Sequence, residues 1–293
     1  MRQKILSLVF WYFYYALTKK TMVKDCVSKK ILKDGSLLDA ETVSIPEGAV
    51  VIYDVLRVME QVPLFVEDHS ARFFKSFDLS QRERPFAENV FADSIRAFIS
   101  SYGLKNGNVR CVYSISPSNE TQFLVYEIKH SYPTTEMYET GVVCGTFEGE
   151  RSNPNVKQEA AVKNNAYKKI AETGVYEVLL VDLQKNVTEG SKSNTFFVQG
   201  DTIVTALAQD VLCGITRLQI IELIHSLQIP LVERKIALSE LKNFDAAFIS
   251  GTSPKVLPIR QIEEISYQVK NPVVRRLAEA YDKQISEYIK SHK

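Results

Sequence analysis

Thr188-Glu189-Gly190-Ser191-Lys192-Ser193-Asn194, followed about twenty residues later by Gly214-Ile215-Thr216-Arg217, is the stretch that decides how this chain reads. The first run sets an acid in a glycine turn between two apolar strands, residues 177–183 before it and 194–198 after it. The second opens an amphipathic helix, over which Leu218, Ile221, Ile224 and Leu227 recur at helical spacing. A helix N-terminus leaves backbone N–H groups without intrahelical partners and carries a partial positive charge. The pair therefore offers a carboxylate for a buried cation and a set of donors for an anion.

Outward from that stretch, the chain alternates strands and helices. Residues 48–58 read as a strand rich in β-branched side chains. A turn at Met59-Glu60-Gln61 returns the chain through Pro63-Leu64-Phe65-Val66. A helix follows with Glu67 and Asp68 in its first turn, where the macrodipole favours acids. Residues 86–102 read as helix, and 108–115 and 122–128 as strands. A polar, turn-rich segment at 133–140 reads as a link between domains. Beyond it come a strand at 141–146, a loop with Asn153-Pro154-Asn155, and a helix over 157–173. A short buried strand, 246–250, ends in Gly251-Thr252-Ser253, and a helix at 272–289 closes the chain.

At 293 residues the chain is comfortable for two domains. Apolar content of 45% and charged content of 24% place it among ordinary globular proteins. A formal net charge of +1 gives no basic excess to release phosphate counterions, so nucleic acid is not the expected partner. Cys26, Cys111, Cys144 and Cys213 stand far apart and away from the histidines, which speaks against zinc and for reduced thiols in a cytoplasmic protein. Residues 5–17 form an apolar run flanked by Arg2, Lys4, Lys19 and Lys20. It is short for a bilayer span and lacks a small-x-small cleavage site, so no membrane role is expected. Met22 is the favoured start, with residues 1–21 an upstream translation, ahead of an interfacial anchor.

Each candidate residue has a plain structural alternative. Glu189 alone is a solvated turn acid; with a ring cation beside it, it would hold a pyridinium nitrogen protonated. Gly214-Ile215-Thr216 alone is a glycine-started helix; functionally, its N–H groups and the Thr216 hydroxyl would bind phosphate oxygens. Gly251-Thr252 offers a similar donor set at a strand end. His69 and Arg72 share a helix face, and a partly buried arginine there requires an anion, either a ligand or its neighbours Glu67 and Asp68. A molecule carrying a phosphate and a basic nitrogen on one ring satisfies all of these, and pyridoxal 5'-phosphate is such a molecule. That cofactor demands a lysine, for which Lys157 and Lys163 compete.

The order His69-x-x-Arg72, Glu189-Gly-Ser-x-Ser-Asn194, Leu212-x-Gly-Ile-Thr-Arg217 and Ser250-Gly-Thr252 with Pro258 resembles the class IV aminotransferases of fold type IV. That family includes branched-chain and D-amino acid aminotransferases and aminodeoxychorismate lyase. The resemblance covers roughly residues 25–290. It implies an α/β (α+β) fold with pyridoxal phosphate between two domains. The expected division is an apolar extension at 1–22, a smaller domain at 23–132, the link at 133–140 and a larger cofactor-binding domain at 141–293. By resemblance, Arg72, Ile215, Thr216 and Thr252, with Gly251, would hold the phosphate. Glu189 would face the ring nitrogen and Leu212 the ring. In the family the lysine lies a little over thirty residues before that glutamate. Lys157 lies 32 residues before Glu189 and Lys163 only 26, so Lys157 is chosen.

The chain departs from the pattern where many members carry an asparagine and a tyrosine shortly after the lysine; here Ala160, Ala161 and Val162 stand. Tyr53 and Arg57, on one face of the first strand, resemble the substrate-contacting positions; their alternative is a core tyrosine and an exposed arginine. The Arg-x-His signature of D-amino acid aminotransferases is not seen in 109–117. The resemblance thus implies transamination from a branched-chain L-amino acid to a 2-oxo acid such as 2-oxoglutarate, in a homodimer. Aminodeoxychorismate lyase and a non-catalytic dimeric relative are the alternatives.

Overall fold

A computed structural model describes residues 21–23, 25–149, 154–156 and 161–293. The apolar run at 5–17 and the segment holding Lys157 lie outside the described residues. Among those described, no helix is long and apolar enough to cross a membrane.

Two sheets organise the chain. The first is antiparallel throughout, with strands in the order Ser36–Asp39, Lys30–Lys33, Thr121–Ile128, Gly107–Ile115, Val50–Met59 and Val62–Pro63. Its longest strand, Val50–Met59, alternates apolar residues as a half-buried strand should, with Ile52, Leu56 and Val58 inward. The turn after it places Glu60 and Gln61 at φ 50° and 68°, the left-handed pair that a two-residue hairpin needs. On the inner face lies the helix Val66–Leu79, whose Phe73, Phe74 and Phe77 interlock with Phe91 and Phe98 of the helix Glu88–Tyr102. Phe65 begins the first helix in the left-handed region (φ 52°), a strained conformation for an aromatic residue. Its ring is held by Tyr281 and Tyr288 of the C-terminal helix Pro272–Ser291, at 6.3 and 4.8 Å between centroids. The orientation of the helix bearing His69 and Arg72 is thus set by the far end of the chain.

The second sheet closes on itself. Asn194–Gln199, Ala246–Gly251, Lys255–Ile262, Val142–Glu148, Glu177–Val181 and Asn186–Gly190 pair in turn, and the last pairs back to the first through Glu189 and Asn194. Val142–Glu148 runs parallel to both of its neighbours. The inside of this ring is filled by Leu179, Val187, Phe197, Ile249, Leu257 and Ile259, among others. Alternation sends Phe196, Val198 and Phe248 outward, where the helices Ile215–Ser226 and Pro272–Ser291 cover them.

Two expectations change. The link contains a short helix, Thr135–Thr140, whose N-cap Thr134 accepts a hydrogen bond from Met137 N. In the helix Ile215–Ser226 the buried face is not the one expected: Leu218 is 38% exposed, whereas Ile220 and Ile224 are fully buried. The helix is covered on more than one side, burying Ile215, Thr216, Arg217 and Gln219 as well, so a single-stripe reading picks the wrong stripe.

Candidate active site

A cavity of about 520 Å³ lies against the closure of the ring, a size suited to a cofactor-sized ligand. Strands of both sheets line it, with Tyr53 and Val55 from the first and Glu189 and Asn194 from the second.

One end is a set of donors. The helix Ile215–Ser226 begins at Gly214, which has extended backbone angles and no side-chain cap, so its first N–H groups are open to the cavity that Gly214, Ile215 and Thr216 line. Tyr281 hydrogen-bonds Thr216, and burial lifts the Tyr281 hydroxyl to a pKa of about 12. Thr252 lines the same end, its hydroxyl donating to Val55 O at 3.5 Å. The Ser250 hydroxyl, also in the wall, is buried without a hydrogen-bond partner among the described residues. Arg72 completes the set, donating from Nη1 to Cys213 O at 3.4 Å. An uncapped helix start, hydroxyls and a guanidinium converge there, as a phosphate requires.

Arg72 is held by an acid that the local sequence did not suggest. Asp54, wholly buried on the first sheet, accepts from Arg72 Nε at 2.9 Å and Nη2 at 2.6 Å, and lies 2.8 Å from His69 Nδ1. The neighbouring acids are used elsewhere: Glu67 accepts from Tyr288, and Asp68 accepts from Gln219. A bidentate buried pair fixes the guanidinium plane. The available signal was an acid within an apolar strand, at a position whose neighbours Ile52 and Leu56 on the same face are core.

At the other end stands the Glu189 carboxylate, which accepts from Leu212 N at 3.1 Å. Asn194 donates to Leu212 O at 2.9 Å. Leu212, in the cavity wall, is therefore pinned on both backbone groups by the two ends of the acidic turn. The turn is itself wrapped around a second buried acid, Glu177. That carboxylate accepts from Ser191 N (3.2 Å) and Oγ (2.5 Å), Lys192 N (3.3 Å) and Ser193 Oγ (3.0 Å). Two glycines are required by close approach. A Cβ at Gly190 would lie 2.1 Å from Ser193 Oγ, and one at Gly214 would lie 2.4 Å from Asn194 Oδ1.

The remaining predicted residues divide. Tyr53 and Gly251 line the cavity. Arg57 is not in its wall among the described residues; its guanidinium sits 3.8 Å over the ring of Tyr132. Tyr132 in turn donates to Asn108, which donates to Ser253 beside Thr252. Arg217, the last residue of its motif, points away to Ala206 O and Glu233. Lys157 lies outside the described residues, and Lys163 belongs to the helix Ala161–Thr173. Arg110, which sequence reasoning passed over, lines the cavity, paired with Asp25 and lying 4.2 Å over the Tyr53 ring.

Comparison with known proteins adds the family. Residues 51–262 match the model of the amino-transferase class IV family. A probable branched-chain-amino-acid aminotransferase of Thermotoga maritima is 30% identical over 247 residues, covering 80% of this chain and 86% of that protein. A D-alanine aminotransferase of Staphylococcus haemolyticus is 26% identical, covering 80% and 88%. Among solved structures, a branched-chain amino acid aminotransferase with pyridoxamine 5'-phosphate, its source abbreviated T.th., superposes with a TM-score of 0.80 at 21% identity, covering 90% of this chain and 96% of that one.

Proposed function

The chain belongs to the class IV aminotransferases, enzymes that use pyridoxal phosphate, and we propose that it moves an amino group from a branched-chain L-amino acid to a 2-oxo acid such as 2-oxoglutarate. The observation that carries this reading is that the Glu189 carboxylate and the uncapped helix start, with Arg72, face one cavity. The donor set fits the cofactor: an acid for the ring nitrogen, and N–H groups, hydroxyls and a guanidinium for the phosphate. The names of the relatives support the amino-acid and oxo-acid substrates.

In this reading Arg72, Ile215, Thr216, Gly251 and Thr252 hold the phosphate, and Leu212 supports the ring face. Bound there, the cofactor supplies an electron-accepting ring that makes the substrate α-proton acidic. Glu189 keeps a proton at the ring nitrogen, and Lys157 carries the cofactor and moves the α-proton. Tyr53 contacts substrate. We place the enzyme in the cytoplasm as a homodimer; the four free cysteines are compatible with a reducing compartment.

The test is borohydride reduction of the cofactor-loaded protein, peptide mapping, and amino transfer assayed with L-leucine, L-valine and D-alanine against 2-oxoglutarate. A pyridoxyl adduct on Lys157 with L-selective transfer is expected. An adduct on Lys163, or none, overturns the site. Pyruvate release from aminodeoxychorismate without amino transfer replaces the transaminase with the lyase.

A further inference from the structure

The part of the cavity not claimed by phosphate and ring has an electrical asymmetry. Among the described residues, Glu189 is the one acid in the cavity wall, and it belongs to the ring end. The wall beyond it carries Arg110, Lys129 and Lys192, with His130 beside them. Arg110 is already neutralised by Asp25. Lys192 is not paired with any described acid; its Nζ lies 5.5 Å from the centroid of the Tyr176 ring, also in the wall. A cation over a ring is oriented by it but keeps its charge.

The backbone of Lys192 is unusually well fixed for a turn residue. Its N–H donates to Glu177, and Ser191 and Ser193 on either side hold the same buried carboxylate. The side chain is exposed, so it springs from a rigid platform into the open half of the cavity, three residues after the acid at the ring end.

We propose that Lys192 is a specificity-determining residue that receives the second, distal carboxylate of a dicarboxylic amino or 2-oxo acid. This rests on the transaminase reading and assigns a residue to one of its two substrates. The α-carboxylate is common to every amino acid and cannot distinguish donors. A free cation on a fixed turn discriminates by side-chain charge, and its distance from the ring sets the acid's chain length.

The test uses cofactor-loaded protein and two unreactive probes of similar length, glutarate and 4-methylpentanoate, titrated calorimetrically into wild type, K192Q and K192R. Glutarate is expected to bind roughly tenfold more tightly than 4-methylpentanoate to wild type, as a charge-assisted contact allows. K192Q should erase that difference and K192R should keep it. In amino transfer, K192Q should raise KM for glutamate roughly tenfold and move KM for leucine less than about twofold. Equal binding of the two probes by wild type, or an equal loss of both in K192Q, overturns the proposal. Discrimination between the probes without amino transfer from any donor would instead defeat the transaminase reading and leave the carboxylate site standing.

Discussion

Leu212 N donates to Glu189 Oε2 at 3.1 Å, and this one contact joins the acidic turn to the segment that begins the phosphate-facing helix. With Asn194 holding Leu212 O, the ring-facing acid and the helix start cannot shift independently. The distance between the two ends of the ligand is thereby built into a backbone clamp.

Glu189→Gln keeps an oxygen to accept from Leu212 N but removes the charge. The fold should persist while amino transfer drops on the order of 10²–10³-fold, the range for losing a charge-stabilising group. Glu189→Ala should also loosen Leu212 and weaken cofactor binding. Rates and cofactor absorption of the two variants, measured together, check this; similar cofactor affinity in both would contradict the clamp.

Asp54 is predicted to matter as much for stability as for binding. Asp54→Ala leaves the Arg72 guanidinium buried beside His69 without its carboxylate, at a cost of about 3–5 kcal/mol. Urea denaturation of the cofactor-free protein measures it directly. A loss below about 1 kcal/mol would mean that the pair is not buried as described.

Glu177→Gln retains the shape of the side chain yet turns several charge-assisted bonds into neutral ones. A loss of about 2–4 kcal/mol is expected, together with weaker cofactor binding through the loosened turn. Thermal melting with and without cofactor separates the two effects. Gly214→Ala tests the same region sterically, since its Cβ would press on Asn194 Oδ1; about 1–3 kcal/mol should be lost.

Alkaline pH should weaken the fold through Tyr281. Burial raises its pKa from 10.0 to about 12, against the lowering effect of the Thr216 hydrogen bond. A raised pKa means that the folded state keeps the proton after the unfolded state has lost it. Stability is therefore intact below pH 10.0 and falls as pH rises toward about 12, by roughly 1.4 kcal/mol per unit. Tyr281→Phe should flatten the pH dependence in that window, as read by denaturant midpoints at about pH 9 to 11.

The acidic turn and the glycine-led helix were legible because each is a local pattern. The strands 194–198 and 246–250 came out close to the observed Asn194–Gln199 and Ala246–Gly251 for the same reason: runs of apolar residues bounded by turns. Asp54 and Glu177 were not legible as structural acids. Asp54 meets Arg72 only when the helix Val66–Leu79 packs on its sheet, and Glu177 meets its serines only after the chain has turned back. Arg57 lies on the expected strand face, yet Tyr132, far along the chain, takes its guanidinium.

By itself the sequence determined which segments are helices and strands, and which two carry the carboxylate and the open N-terminus. Those properties depend on near neighbours along the chain. Only the tertiary structure decided which charge partners which, that the sheet closes through Glu189 and Asn194, and which face of the helix at Ile215 is covered. Burying a charge or a backbone amide is costly unless a partner is delivered, and that delivery depends on packing between segments distant in sequence.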